Sequence, residues 1–229
     1  MRILHKNIKK MEEQVISKKR VADHGEVLTA EREVNAMLGL VQHETERIDS
    51  RFLEPACGTG NFLVPILEKK LAIVKDKYAK SQLEFERYGI VAVSSIYGVD
   101  ILEDNVNKCR DRLFVVFNDM YSKLYKEKSK ESCKDAARFI FSRNILLGDA
   151  LSLKTVGEKP EPIVFSEWSL VTGSQIKRRD FTFADLISSE SANVGLFAIP
   201  NGGTPFFVPT PIKEFPLCNF LEVHHEKTN

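Results

Sequence analysis

The stretch that decides the fold is Phe52-Leu53-Glu54-Pro55-Ala56-Cys57-Gly58-Thr59-Gly60-Asn61-Phe62-Leu63. Phe52 and Leu53 predict a short buried strand, and the two glycines after Pro55 predict a tight turn. From Asn61 a helix is expected, with Lys69, Lys70 and Lys75 outside an apolar stripe that consists of Phe62, Leu63, Ile66, Leu67 and Leu71. A strand, a glycine turn and a helix in this order form the first unit of a doubly wound sheet.

Two more units of the same kind follow. Residues 96–101 predict a second strand, and a helix with one apolar face is expected from about Glu103. Residues 136–141 predict a short helix, residues 144–147 a third strand, and Gly148-Asp149-Ala150 a turn. The predicted fold class is therefore α/β, a Rossmann-like fold with a doubly wound, mostly parallel sheet.

The flanks are less regular. Residues 1–20 contain seven Lys or Arg and two Glu, which predicts a solvated basic arm. Thr29 is expected to cap a helix whose core-facing residues are Val34, Met37, Leu38 and Val41. A fourth strand is expected at 162–165, with Trp168 just past its end. The predicted domains are the arm at 1–20, the main domain at 21–170 and an irregular C-terminal extension at 171–229.

Composition excludes several classes of protein. The chain has 229 residues, 43% of them hydrophobic and 28% charged, as ordinary globular proteins do. No apolar run approaches the roughly 20 residues of a membrane span, and the N-terminus lacks the apolar core of a signal peptide. The four cysteines are scattered, which argues against a zinc ribbon and fits reduced thiols in a cytoplasm. No metal site is expected, since His224 and His225 have no further ligands at useful spacing.

The glycine turn and the acid before it suggest the type of cofactor. Gly58 and Gly60 allow a ligand to approach the backbone closely. The third glycine of a dinucleotide fingerprint is replaced by Leu63. Glu54 would repel a pyrophosphate but could pair with the ammonium of an amino acid, so S-adenosylmethionine is favoured over NAD. The alternative is a turn that serves only the fold.

Two aspartates end the next strands. Asp100 could accept both hydroxyls of a ribose, and Asp149 lies within plausible reach of an adenine amino group. A single aspartate after a strand is more often a helix cap than a ligand. Two of them in order after a glycine turn favour the ligand interpretation.

The glycine turn resembles the cofactor loop of adenine-N6 DNA methyltransferases from restriction–modification systems. Residues 23–30 are similar to that family's N-terminal cofactor motif, and residues 98–101 and 148–151 resemble its next two motifs. The resemblance covers about residues 20 to 151. It implies a cofactor pocket lined by Thr29, Glu54, Pro55, Ala56, Cys57, Gly58, Thr59, Gly60, Asn61, Asp100, Ile101, Asp149 and Ala150.

The family's catalytic motif is absent. That motif is Asn or Asp followed by Pro-Pro and an aromatic residue; it orients the target amine and stacks on the flipped base. The chain contains no Pro-Pro, and Ser166-Glu167-Trp168-Ser169 stands where the motif belongs. Three interpretations remain open. Glu167 and Trp168 replace the motif, another polypeptide supplies it, or Trp168 packs in the core and Glu167 is exposed.

The resemblance implies an S-adenosylmethionine-dependent DNA methyltransferase, or the methylation subunit of a restriction–modification system, with DNA and a second protein as partners. The runner-up is a non-catalytic cofactor-binding module that completes or regulates a partner enzyme. A third alternative is methylation of RNA or another non-DNA substrate. Net charge is only +1, and Lys177-Arg178-Arg179 is either a phosphate grip or a solvated face.

Overall fold

The computed structural model describes residues 20, 22, 29–191 and 209–225. Contacts divide the chain into two compact units, residues 1–44 and 45–229. In the first unit, helix α1 spans Glu31–Leu40, and the short helix α2 at Gln42–Thr45 crosses the boundary. Ala30 occupies the N-cap of α1 without a side-chain cap, so the prediction that Thr29 caps this helix is wrong. Val34 and Leu38 are buried as expected, whereas Met37 and Val41 are exposed.

A parallel sheet forms the centre of the second unit. It contains β1 (Phe52–Glu54), β2 (Ile96–Asp100) and β3 (Ile145–Leu147) in the order β1-β2-β3. Helices α3 (Leu63–Tyr78) and α4 (Gln82–Ser94) connect the first two strands. Helices α5 (Glu103–Tyr125) and α6 (Glu131–Asn144) connect the second and third, with a 3-10 turn at Lys126–Lys128 between them. The α/β class is confirmed, and α6 is longer than the predicted helix at 136–141.

The helices form one packed layer. Helix α3 contacts α4 and α5, and α6 contacts the same two helices. Most of the apolar stripe residues are buried, with Phe62 and Val116 partly exposed, and each fully buried large apolar side chain stabilises the fold by about 1.5–3 kcal/mol. Lys70, predicted to lie outside the stripe, is also buried. Its Nζ donates to the carbonyl oxygens of Ile48 and Ser50 and to Ser95 Oγ, which fixes the chain leading into β1.

A second, antiparallel sheet follows. Strands β4 (Val164–Leu170) and β5 (Gln175–Thr182) form a hairpin, and the short strands β6 (Lys213–Glu214) and β7 (Cys218–Asn219) pair with β5. Helix α7 spans Phe183–Ser191, and a 3-10 turn lies at Phe220–Glu222. The predicted fourth strand is therefore longer than expected, contains Trp168, and does not join the parallel sheet. The extension predicted at 171–229 contains strand β5, which the sequence did not predict, and helix α7, where the sequence predicts a short helical piece near Phe183 to Ile187.

The hairpin covers one face of the parallel sheet. Tyr97 and Val99 of β2 pack against Ile163, Phe165 and Phe183 in one apolar cluster. The Tyr97 hydroxyl donates to the Ser166 carbonyl at 3.0 Å. In the described part of the chain, β1 lies at the edge of its sheet, and Leu53 is 43% exposed there. No helix among these residues is both long and apolar enough to cross a lipid bilayer.

Candidate functional site

The glycine turn after β1 has the backbone conformation that its glycines predict. Gly58 has φ +50° and Gly60 has φ +87°, both in the left-handed region that favours glycine. A Cβ at Gly60 would lie 2.9 Å from Cys109 Sγ. The Cys57 N–H donates to the Val99 carbonyl at 2.9 Å, which ties the turn to β2. The turn therefore lies at the carboxyl end of two parallel strands, where ligands of open α/β sheets bind.

Asp100 connects the glycine turn to the end of β2. Its Oδ2 accepts the Gly58 N–H at 2.8 Å, and its Oδ1 accepts the Leu102 N–H at 2.9 Å. The Asn105 amide donates to the same Oδ1 at 3.2 Å. A carboxylate offers about four acceptor sites, so three are occupied by the protein. Capacity for about one more hydrogen bond remains in this structure, and the expectation that Asp100 accepts both ribose hydroxyls stays a prediction.

Glu54 places an acid beside the turn. One of its carboxylate oxygens, Oε1, accepts the Ala56 N–H at 3.3 Å, and no described cation pairs with it. Partial burial raises the pKa of the Glu54 carboxyl, and the Ala56 N–H opposes that shift only in part. Pro55 and Ala56 are exposed at the mouth of the turn. A half-buried acid without a cation suits the ammonium group of a ligand.

The opposite side of the turn faces the protein. Cys57, Thr59 and Gly60 are buried, so these predicted pocket residues offer a ligand no exposed side chain. The pKa of the Cys57 thiol is raised by its hydrogen bond with Cys109 and by burial, which makes it a poor nucleophile. Its small size fits the turn, as the sequence indicated.

Arg112 of α5 holds the turn, and sequence analysis missed it. Its Nη1 donates to the Thr59 carbonyl at 2.6 Å and to Thr59 Oγ1 at 3.1 Å. The same nitrogen donates to Asn61 Oδ1 at 2.8 Å, so this predicted cofactor residue is engaged by the protein. Helical spacing is the signal that could have found it. Asn105, Cys109 and Arg112 lie on one face of the helix that follows the second strand.

Asp149 lies two residues after β3 and caps its own turn. Its carboxylate accepts the Leu151 N–H at 2.9 Å. Hydrogen bonds from Ser152 and from this N–H lower the pKa of the Asp149 carboxyl. The neighbouring Gly148 N–H donates to the Asp100 carbonyl at 3.0 Å, so the ends of β2 and β3 are adjacent. In this structure the Asp149 side chain therefore acts as a cap. It also lies at the carboxyl edge of the sheet, where a ligand would be expected to bind.

Apolar side chains are exposed at this edge. Ile101, directly after Asp100, is 45% exposed, and Leu151 is 96% exposed. Ala150 is half-buried and packs against the cluster beneath the hairpin. Two exposed apolar side chains beside a carboxylate suit a flat heterocycle attached to a sugar.

Glu167 and Trp168 lie inside β4. The Trp168 ring is 6% exposed, and its Nε1 donates to Asn144 Oδ1 at 3.0 Å. The Glu167 side chain is 15% exposed and pairs with Arg51 and Arg179, each at 2.6 Å. A base could stack on Trp168 only by displacing the packing around it. This arrangement does not support the catalytic interpretation, and it corrects the expectation that Glu167 is exposed.

The basic run of β5 is also engaged. Arg178 is buried and donates to both carboxylate oxygens of Asp180, at 2.9 Å each. Lys177 pairs with Glu214 at 2.9 Å. These pairs favour neither a phosphate grip nor a fully solvated face.

The predicted N-terminal motif at 23–30 lies outside the described residues, apart from Thr29 and Ala30 in the unit of residues 1–44. The described residues contain no cluster of acidic, histidine and cysteine side chains that could hold a metal ion. Comparison of the chain with models of protein families, with curated proteins and with solved structures found no match.

Proposed function

We propose that the chain binds S-adenosylmethionine at the carboxyl edge of the parallel sheet, as the cofactor-binding half of an adenine-N6 DNA methyltransferase. The observation that carries this proposal is the 2.8 Å bond between the Gly58 N–H and Asp100. It joins the glycine turn after β1 to the acid that ends β2. Acid, glycine turn and acid thus form one continuous site along two neighbouring strands.

The groups at this edge fit the parts of S-adenosylmethionine. Glu54 offers a carboxylate without a cation, which suits the ammonium of the methionine end. The remaining acceptor site of Asp100 suits one ribose hydroxyl. Exposed Ile101 and Leu151 offer apolar contact for the adenine ring. A pyrophosphate has no such fit, because Glu54 would repel it.

The bound cofactor supplies a methyl group on a sulfonium, ready for direct attack by an amine. The contribution of this chain is to hold the adenosine and methionine ends so that the methyl group faces the target, and proximity and alignment are large effects in such reactions.

We propose that a second polypeptide supplies the catalytic motif and target recognition. The chain has no Pro-Pro, and buried Trp168 does not offer a stacking ring. In a doubly wound order, further strands continue beside the first strand. In the described sheet, that side of β1 is an edge. A second candidate function is a non-catalytic S-adenosylmethionine-binding module, which the missing motif also favours.

Calorimetric titration with S-adenosylmethionine tests the binding site. Asp100→Asn deprives the Gly58 N–H and the ligand of a carboxylate, so affinity should fall about tenfold or more. Asp111→Asn, an exposed substitution on α5, is the matched control and should bind as the wild type does. Wild-type protein that does not bind the cofactor would refute the proposal.

Transfer of a tritiated methyl group to unmethylated DNA tests the need for a partner. The isolated chain should give no transfer, and addition of the product of the neighbouring reading frame should produce it. Robust transfer by the chain alone would show that the catalytic motif is not missing in function. Cofactor binding without transfer under either condition would favour the non-catalytic module.

A further inference from the structure

One face of α5 lies along the glycine turn. Asn105, Cys109 and Arg112 are spaced by four and three residues, so their side chains share this face. Asn105 donates to Asp100, Cys109 packs where Gly60 has no side chain, and Arg112 binds Thr59 and Asn61. Along the helix, the three residues therefore contact first Asp100, then the backbone at Gly60, and last Thr59 and Asn61.

The turn has few hydrogen bonds of its own: the Gly60 N–H donates to the Cys57 carbonyl at 2.8 Å, and Thr59 Oγ1 lies 3.4 Å from Asn61 Oδ1. Helix α3 begins after Phe62, which occupies its N-cap and provides no side-chain cap. Two residues of the turn are glycines, and glycine loses the most conformational freedom on folding. The Thr59 carbonyl, 2.6 Å from the Arg112 guanidinium, receives a charge-assisted bond instead.

We propose that Arg112 is a positioning residue of the cofactor site. Resting on the function proposed above, the inference is that its guanidinium holds residues 58–61 in the ligand-binding conformation without touching the ligand. A single nitrogen, Nη1, binds the backbone of the turn and the two side chains on either side of Gly60. Without it, the turn samples other conformations, and only a fraction of the molecules are competent to bind.

Arg110 provides a matched control on the same helix. It is half-buried like Arg112 and donates to a backbone carbonyl, that of Ile145, at 2.6 and 2.9 Å. This carbonyl is at the start of β3, whereas the glycine turn lies beyond the carboxyl ends of the strands. Arg110→Met and Arg112→Met therefore remove comparable bonds, and only the second removes one from the turn.

Two measurements on both variants test the inference. S-adenosylmethionine affinity should fall about tenfold in Arg112→Met and stay within about twofold of wild type in Arg110→Met. Hydrogen exchange of the amides of residues 58–61, without ligand, should be faster in Arg112→Met alone. Arg112→Lys keeps one charged donor and should restore part of the affinity.

The two measurements separate the possible failures. Unchanged affinity or unchanged exchange in Arg112→Met would overturn the inference, as would equal losses of affinity in both methionine variants. If Arg112→Met does not fold, Arg112→Lys is compared with Arg110→Lys by the same criteria. If wild-type protein does not bind S-adenosylmethionine, the proposed function fails. Exchange then decides the role of Arg112, with faster exchange upholding it and unchanged exchange overturning it.

Discussion

At the residue scale, Asp100 and Glu54 show two ways in which a carboxylate can serve a site. Asp100 accepts three hydrogen bonds from the protein, so it organises the turn as well as offering one acceptor to a ligand. Glu54 accepts one backbone N–H and keeps the rest of its capacity. A substitution at Asp100 should therefore change both the stability of the fold and the affinity for the cofactor. A substitution at Glu54 should change mainly the affinity.

Glu54 should give cofactor binding a characteristic pH dependence. Burial raises the pKa of its carboxyl above the ordinary value, so protonation begins at a higher pH than for an exposed glutamate. An ammonium group binds the carboxylate and not the neutral acid. Affinity for S-adenosylmethionine should be full above this raised pKa and should fall as the pH falls through it. Calorimetry across the acidic range measures the effect.

The same raised pKa makes the stability of the ligand-free protein depend on pH in the opposite direction. A raised pKa in the folded state means that ionised Glu54 is less stable there than in the unfolded chain. The protonated Glu54 carboxyl contributes to stability at low pH. This contribution is lost as the pH rises through the pKa that Glu54 has in the folded state. Glu54→Gln should remove both dependences. Binding by this variant that kept the wild-type pH profile would assign the titration to another group.

At the element scale, the fit between α5 and the glycine turn can be measured at Gly60. Gly60→Ala forces alanine into φ +87° and places a Cβ 2.9 Å from Cys109 Sγ. Left-handed backbone costs about 1–2 kcal/mol and overpacking about 1–3 kcal/mol, so the free energy of unfolding should fall by about 2–5 kcal/mol. Urea denaturation measures this change.

Gly173→Ala isolates the backbone contribution. Gly173 has φ +60°, and a Cβ there meets nothing within 4 Å, so only about 1–2 kcal/mol is expected. Adding Cys109→Ala to Gly60→Ala should make the double variant more stable than the sum of the single changes predicts. Strict additivity would mean that α5 does not press on the turn.

The elements that sequence reasoning predicted are those whose signals are local. The first strand, the glycine turn and the next helix follow from a short apolar run, two glycines and a helical stripe. Strand β5 was not predicted because two of its alternating buried positions hold the charged residues Arg178 and Asp180, which pair with each other. The sequence therefore lacks the apolar alternation that is typical of a strand. Helix α4 was not predicted, and its run Ile90 to Val93 has strand propensity that packing against α3 overrides.

At the scale of the whole molecule, polar contacts join the two sheets. The Tyr97 hydroxyl reaches the Ser166 carbonyl, Arg51 before β1 pairs with Glu167 of β4, and Asn144 binds Trp168. These contacts give Glu167 and Trp168 a paired and buried environment, which does not support the catalytic interpretation. Their environment depends on residues distant in sequence, which no local pattern reveals. The adjacency of the glycine turn and the strand ends was predicted because both lie at the carboxyl edge of a parallel sheet by topology.

Asn144 should be essential to this connection. Its amide donates to the carbonyl oxygens of Ser94 and Ile96, both at 3.2 Å, and its oxygen accepts the Trp168 Nε1–H. Asn144→Leu leaves three buried polar groups without partners, and each one costs about 1–3 kcal/mol. The free energy of unfolding should therefore fall by at least about 3 kcal/mol, measured in urea through the fluorescence of Trp168, the only tryptophan. Asn107→Leu, on the exposed side of α5, should change it by less than about 0.5 kcal/mol. Equal stability of the two variants would mean that Asn144 contributes little to holding the hairpin on the parallel sheet.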